Sequence, residues 1–195
     1  MSRHWEKIFS QEFNVPLEDA GEEIDRWVDE VATQEDFQTF YNDTVDRLGD
    51  TTFSTSENSA YSLRSAEEGE DLNCDGKAFL AAAAGELAYD KDMEIILDYA
   101  VDMRPHTAGQ ELVSHHTVVE DEFGNTYGGR VEDFPGHETL TDRISGEEVA
   151  SLYMLDMAMD AKASGEESRA EELFNEAEDL RSTSGYISRR LSDWR

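Results

Sequence analysis

Apolar residues recur at helical spacing through the first part of the chain. One apolar stripe runs through residues 17–32 and a second through residues 33–48, and acidic residues occupy the opposite faces. Pro16 precedes the first stripe, and Thr33 is a suitable N-cap for the second. The pattern predicts that residues 1–50 form a helical flank packed against a core.

Residues 49–71 are rich in Ser, Thr, Asn and Glu, which predicts a long loop or a weak strand. The sequence "NCDGKAFLAAAAGEL" follows, beginning at Asn73. Its alanine-rich composition predicts a helix. Asn73 is a good N-cap and would place Cys74, the only cysteine of the chain, in the first turn.

Three segments after this helix have strand character. Residues 93–102 are a dense apolar run, and residues 111–121 are rich in β-branched side chains. Residues 125–133 follow a turn at 122–124, so the last two segments predict an antiparallel hairpin.

The pattern becomes helical again after Gly136. Apolar residues at helical spacing fill residues 147–162 and 166–194, with a break at Ser164-Gly165. Residues 146–195 therefore predict a helical hairpin. The whole chain, residues 1–195, is expected to form one α+β domain.

Charge narrows the possible partners. Asp and Glu number 46 against 16 Lys and Arg, a formal net charge of −30. This balance argues against direct binding to nucleic acid or to an anionic membrane. The charge is spread along the whole chain and lysine is scarce, which is typical of proteins adapted to concentrated salt, as in halophilic archaea or their viruses. A high-salt cytoplasm or a virion is the expected location.

Disulfides and membrane spans are not expected. A single cysteine excludes an internal disulfide, and no run approaches the ~18 apolar residues of a transmembrane helix. The start "MSRHWEKIF" also lacks the apolar stretch of a signal peptide.

The order of the predicted helix and strands along the chain suggests a catalytic site. A cysteine at a helix N-terminus, followed by a strand with histidine and then an acid, is what a cysteine-nucleophile enzyme needs. The helix dipole favours the thiolate, the imidazole takes the proton, and the acid orients the imidazole.

Residues 70–135 also resemble a known family. "NCDGKAFLAAAAGEL" is similar to the nucleophile motif of the transglutaminase-like, papain-related superfamily, and "HTVVEDEFGNTYGGRVED" is similar to its second and third motifs. The resemblance implies a papain-like core, in which the Cys-bearing helix packs on a small antiparallel sheet. It assigns Cys74 as nucleophile, His116 as general base and Asp133 as the acid.

Several assignments stay open. A one-residue slip of the strand register would exchange His116 for His115, and Glu132 or Asp121 are alternatives to Asp133. The two adjacent histidines together with an acid of the following turn form a weaker metal-site alternative, because neighbours on a strand point to opposite faces. No cofactor and no metal is expected.

The predicted function is an acyltransferase or amide hydrolase that acts on an amide or isopeptide of a protein or peptide through a thioester. One alternative is a non-catalytic structural or assembly protein of a halophilic virus or archaeon, which would bind partners through the helical flanks. A third is an acidic mimic of nucleic acid. Burial of Cys74 against Leu80 and Ala83 would favour the assembly protein, whereas an accessible thiol beside a histidine would favour the enzyme.

Overall fold

The computed structural model describes residues 3–48, 61–103, 110–129, 137–180 and 182–194. These residues form an α+β protein in which helices pack against an antiparallel sheet, as the sequence predicts. The helices in chain order are α1 (Arg3–Phe13), α2 (Ala20–Val31), α3 (Phe37–Phe40, continued by a π-helical turn Tyr41–Val45), α4 (Leu63–Glu67), α5 (Cys74–Ala88), α6 (Glu147–Ala163), α7 (Glu167–Asp179) and α8 (Gly185–Trp194).

The sheet has four strands among the described residues, in the order β3-β2-β1-β4. They are β1 (Met93–Met103), β2 (Gln110–Asp121), β3 (Thr126–Tyr127) and β4 (Glu138–Ile144). Every neighbouring pair is antiparallel. The central strand β1 is buried on both faces, which explains why its sequence reads as a dense apolar run rather than an alternating one.

Helix α5 lies at the centre of the core, where it packs against β1 and β2. Five of its six alanines are buried, since a helix with small side chains can approach its neighbours closely. The helix therefore has little amphipathic character, and Cys74 is carried on a rigid, buried element. This position fixes the thiol relative to β2.

The N-terminal helices cover α5 from outside. Trp5 and Trp27 are fully buried in the contacts of α1 and α2 with the core. Phe37 and Phe40 of α3 pack near Tyr89, which follows the end of α5. These contacts confirm the predicted core-facing stripes, and α1 adds a further helix to them.

The C-terminal half departs from the prediction in two places. Residues 138–144, which follow Gly136, form the edge strand β4 rather than leading directly into a helix. Its short sequence "ETLTDRI" has only two apolar residues, and these are Leu140 and Ile144, which face the core opposite Tyr99 and Ile95. So short an alternation gives a weak strand signal.

The predicted helix over residues 166–194 is also wrong in part, because it is split into α7 and α8. Ser182, Thr183 and Ser184 interrupt it. The Ser182 and Thr183 hydroxyls donate hydrogen bonds to Glu148, and the backbone N–H of Tyr186 donates to Asp142 of β4 at 2.7 Å. Glu148 of the neighbouring helix and Asp142 of the neighbouring strand thus accept hydrogen bonds from the residues at the break. These hydrogen bonds stabilise the interruption in place of a continuous helix.

Two smaller differences concern the segments before α5 and after β2. The stretch predicted as a loop before Asn73 contains the short helix α4, which is capped by Ser62. The third predicted strand, residues 125–133, is a strand only at Thr126–Tyr127 within the described residues. None of the described helices is both long and apolar enough to cross a membrane.

Candidate active site

Cys74 is the first residue of α5, as predicted from its sequence. The Asn73 side chain accepts a hydrogen bond from the backbone N–H of Gly76 at 2.8 Å and caps the helix. Cys74 is partly exposed rather than enclosed in the core. It therefore lies at the positive end of the helix dipole, where a thiolate is favoured.

Two adjacent histidines of β2 reach this thiol. His115 pairs across the sheet with Tyr99 and faces the core with Thr117, whereas His116 pairs with Asp98 on the opposite face. Within the described residues, β3 pairs only with Val119 and Glu120, so it does not cover β2 beside the histidines. Cys74 lies beside this stretch of β2: a ring nitrogen of His115 lies within 4.8 Å of its sulfur, and His116 lines the same cavity as Cys74.

An acid beside the nucleophile holds the first histidine. Asp75 is 3% exposed, and its carboxylate lies 2.9 Å from Nε2 of His115. The Thr117 hydroxyl donates a short hydrogen bond to the same carboxylate. A ring nitrogen of His115 also lies within 4.8 Å of the Cys74 sulfur, so one imidazole connects the acid and the thiol.

The Asp75–His115 pair is charged. Burial would raise the pKa of Asp75, but the charge and hydrogen bond of His115 outweigh it and hold the pKa of the carboxyl below its usual range. Burial would likewise lower the pKa of His115, but the Asp75 carboxylate outweighs it and raises the pKa well above that of free imidazole. His115 is therefore an imidazolium at neutral pH.

These charges act on the thiol. Burial raises the pKa of Cys74, and the nearby Asp75 carboxylate raises it further. The contacts with His115 and His116 outweigh both, so the pKa of the thiol lies below that of a free cysteine. The arrangement favours a thiolate held by two imidazoles.

His116 is the more accessible of the two histidines. Its contact with Cys74 is the main reason why its pKa is raised, and a hydrogen bond to the backbone of Gly129 adds to the effect. One ring nitrogen can thus be fixed by a carbonyl while the other faces the sulfur. The buried carboxylate of Asp98, which accepts a hydrogen bond from Thr141 at 2.7 Å, contributes a further attractive charge.

Of the acids predicted from the sequence, Asp121 is the one that the structure describes. Asp133 and Glu132 lie outside the described residues. Asp121 lies at the far end of β2, where its carboxylate accepts hydrogen bonds from Asn125 and Tyr127 and pairs with Lys91 at 3.2 Å. It organises the turn between β2 and β3.

Sequence reasoning missed Asp75 and Asp98. Asp75 lies in "NCDG", a polar stretch that resembles a turn and gives no sign of a buried acid. Its hydrogen-bond partners Thr117 and His115 are 40 or more residues away in the sequence. Asp98 lies inside an apolar run and is only 1% exposed. The sequence does contain a signal for Asp98, because an acidic residue within an otherwise apolar strand indicates a buried carboxylate that needs a partner.

A cavity of about 280 Å³ opens beside the thiol. Cys74, Lys77, His116 and Gly128 are among the residues that line it. Gly128 has φ +100°, and a Cβ added there would lie 3.0 Å from a methyl carbon of Val118. The absence of a side chain at this position lets the chain pass close to β2.

The site also contains metal-ligand types. Within the described residues, Cys74, Asp75 and His115 place one ligand atom each within 4.8 Å of one another. Thiolate, imidazole and carboxylate are all ligands of Zn²⁺. In the present geometry, however, Nε2 of His115 and the Asp75 carboxylate bind each other, so these atoms would have to exchange their hydrogen bond for a metal.

Comparisons of the chain with protein-family models, with curated proteins and with solved structures give no match. The geometry of the site therefore carries the functional argument.

Proposed function

We propose that the protein is a cysteine-nucleophile enzyme that cleaves or transfers an amide through a thioester. The observation that carries this proposal is the place of the Cys74 thiol at the N-terminus of α5, within 4.8 Å of a ring nitrogen of His115 and in the same cavity wall as His116. The two imidazoles lower the pKa of the thiol. A cysteine serving only as core filler would be enclosed by α5 residues such as Leu80 and Ala83. Cys74 instead lines a cavity.

In the first half of the reaction, the Cys74 thiolate attacks the carbonyl carbon of the amide and forms a tetrahedral intermediate. The backbone N–H of Cys74 is in the first turn of α5, where N–H groups have no acceptor within the helix, and it stabilises the oxyanion. The C–N bond then breaks. His116 donates its proton to the leaving nitrogen, which leaves a thioester on Cys74 and a neutral imidazole.

In the second half, water or an amine attacks the thioester carbonyl. His116 takes the proton of the attacking group, the C–S bond breaks, and the thiolate returns. Water yields a carboxylic acid, whereas an amine yields a new amide. His116 has this role because it is more exposed than His115 and its pKa is raised chiefly by the thiol itself.

His115 and Asp75 form a fixed electrostatic support in this scheme. The imidazolium of His115 is locked to a buried carboxylate and does not need to exchange its proton during turnover. Its charge stabilises the thiolate. The resemblance to the transglutaminase-like superfamily assigns the acid to Asp133, which lies outside the described residues, and this assignment stays a prediction. A papain-like core is part of the proposal.

Acylation by an activated ester tests the chemistry without knowledge of the substrate. Native protein in concentrated NaCl is mixed with p-nitrophenyl acetate, and its intact mass is followed with time. We expect one acetyl group on Cys74 that hydroxylamine removes, and no adduct in Cys74→Ala. His116→Gln should slow loss of the adduct by roughly 10²-fold or more, the range of general acid–base catalysis. It should slow formation of the adduct only as far as the thiolate fraction falls, because nitrophenolate leaves without a proton donor.

The control for this experiment is His137→Gln, since His137 is exposed and distant in sequence from the site. It should acylate like the unmodified protein. If Cys74 is acylated only after the protein is unfolded, or if His116→Gln behaves like His137→Gln, the proposed enzyme function is wrong.

A further inference from the structure

A second cavity, of about 580 Å³, adjoins the candidate active site, and we call it the α6–α8 cavity. Asp75 and His115 form part of its wall. Asp156 of α6 and Tyr186 and Arg190 of α8 also line it. The two helices thus enclose a space that reaches the residue next to the nucleophile.

Two buried polar atoms in this wall have no partner within the part of the chain that the structure describes. Asp156 is 8% exposed; one carboxylate oxygen accepts a hydrogen bond from Arg190 at 2.6 Å, and the other, Oδ2, accepts none. Tyr186 is fully buried, and its hydroxyl also forms no hydrogen bond. Burying a polar atom without a hydrogen bond costs free energy. Both atoms therefore indicate a ligand that forms hydrogen bonds with them.

The charges of the wall indicate the sign of that ligand. The two cations, Arg190 and His115, are each already paired with a buried carboxylate, at 2.6 Å and 2.9 Å. Asp160 adds a third carboxylate to the wall, one helical turn after Asp156. The three acids outnumber the two cations, and the whole chain carries a charge of −30. A positively charged group is therefore favoured over an anion.

We propose that the α6–α8 cavity binds an alkylammonium group of the substrate and so selects amides that carry one. An ammonium group has three N–H donors and no acceptor. Asp156 Oδ2, the Tyr186 hydroxyl and the Asp160 carboxylate offer it three acceptors. Tyr61 and Met159 also line the cavity and provide apolar surface for the alkyl chain.

This inference rests on the proposed function, because it makes the cavity the place where a substrate is held beside Cys74. The bound nitrogen stays protonated and serves as an anchor. The amide that reacts is another group of the same substrate, positioned on the Cys74 side of the wall. The cavity thus contributes specificity rather than chemistry.

Binding of n-butylammonium chloride tests the inference with a defined probe. Saturation-transfer NMR on the full chain in concentrated NaCl measures its affinity, and 1-butanol and tetramethylammonium serve as matched probes that lack the charge or the N–H donors. We expect n-butylammonium to bind at least tenfold more tightly than either. Tyr186→Phe and Asp160→Asn should each weaken its binding by about tenfold, while Glu171→Gln, which removes an exposed charge of α7, should not.

Tyr186→Phe removes a hydroxyl that makes no hydrogen bond in the described structure, so the variant should fold, and circular dichroism checks this. The inference is wrong if 1-butanol or tetramethylammonium binds as well as n-butylammonium, or if the folded variants bind unchanged. The same titration on Cys74→Ala should give the wild-type affinity. Loss of ammonium binding with retained acylation of Cys74 would reject this inference and leave the proposed function standing.

Discussion

At the scale of single residues, the site depends on three consecutive positions with different tasks. Asn73 caps α5, Cys74 supplies the thiol, and Asp75 fixes His115 through a buried ion pair. The cap satisfies a backbone N–H that the first turn leaves without an intrahelical acceptor. The side chain of Asn73 therefore helps to hold Cys74 at the positive end of the helix.

Replacing this cap should lower stability by a measurable amount. Asn73→Ala removes the acceptor of the Gly76 N–H and is expected to reduce the free energy of unfolding by about 1 kcal/mol. Asn73→Ser keeps a capping oxygen and should recover most of the loss. Urea unfolding in concentrated salt measures both variants, and equal stability of Ala and Ser at this position would contradict the assigned cap.

The sequence predicts this part of the site well because its signals are local. A capping residue, an alanine-rich run and a cysteine lie within a few positions of one another, so the helix start and the place of Cys74 are confirmed. The histidine pair on a strand is equally local. The partner of His115 is not, because the ion pair joins positions 40 residues apart and depends on how α5 docks on β2.

At the scale of elements, helices and strands with a local sequence signal are predicted correctly, and those that depend on contacts with distant residues are not. The stripe of α2 is a strong periodic signal, the dense apolar content of α6 is typical of a helix buried on most sides, and both helices are present. Strand β4 has few apolar residues and is defined by pairing with β1. The break between α7 and α8 depends on Glu148 and Asp142, which belong to other elements and accept hydrogen bonds from the interrupting residues.

Helix α1 docks on α5 through a contact that should depend on pH. The Trp5 indole donates a hydrogen bond to the Glu86 carboxyl at 2.9 Å, and Nε2 of His4 lies 3.4 Å from the same group. Burial raises the pKa of Glu86 from 4.5 to about 7, and burial lowers the pKa of His4 from 6.5 to about 4. Both groups therefore favour their neutral forms in the folded protein.

The direction in which stability changes with pH follows from the shift of each pKa between the unfolded and the folded protein. The contribution of Glu86 to stability is fully present below its unfolded pKa of 4.5 and is lost as the pH rises through about 7. His4 acts in the opposite sense, since its contribution is present above 6.5 and is lost as the pH falls through about 4. Glu86→Gln isolates the first effect because glutamine keeps an acceptor for Trp5 but does not ionise.

We expect the free energy of unfolding of Glu86→Gln to rise relative to the unmodified protein as the pH increases from 4.5 to 8. Denaturant unfolding across this range measures the difference. Glu171→Gln, on the exposed surface of α7, should show no such trend. A difference that stays constant with pH would mean that Glu86 is ionised at neutral pH in the folded protein.

At the scale of the whole molecule, a charge of −30 on 195 residues makes repulsion between acidic groups a dominant surface property. Ion pairs offset only part of it, as where Arg26 pairs with Glu23, Glu30 and Glu67. At 1 M salt the Debye length falls to about 3 Å, which screens exposed charges from one another. The interpretation as a salt-adapted protein, and with it the expected location, remains a prediction.

This interpretation makes stability dependent on salt. The melting temperature should rise as NaCl increases from 0.2 M to 3 M. The double variant Glu171→Gln/Asp179→Asn removes two exposed acidic charges of α7, the second at the helix C-terminus, where the dipole disfavours an acid, so it should be more stable than the unmodified protein at low salt and show a smaller rise. A melting temperature that is flat or falls with salt would contradict the interpretation.

In the proposed enzyme, two histidines of β2 stabilise the thiolate of Cys74, and the pH dependence of alkylation is the decisive test. Iodoacetamide is added to native protein in concentrated NaCl across a range of pH, and mass spectrometry follows the modification of Cys74. We expect rapid modification with a midpoint below the ~8.5 of a free thiol. His115→Gln and His116→Gln should each move the midpoint upward, and His137→Gln should leave it unchanged. A thiol that reacts only on unfolding, or a midpoint that neither β2 variant moves, would mean that the histidines do not stabilise a thiolate at Cys74.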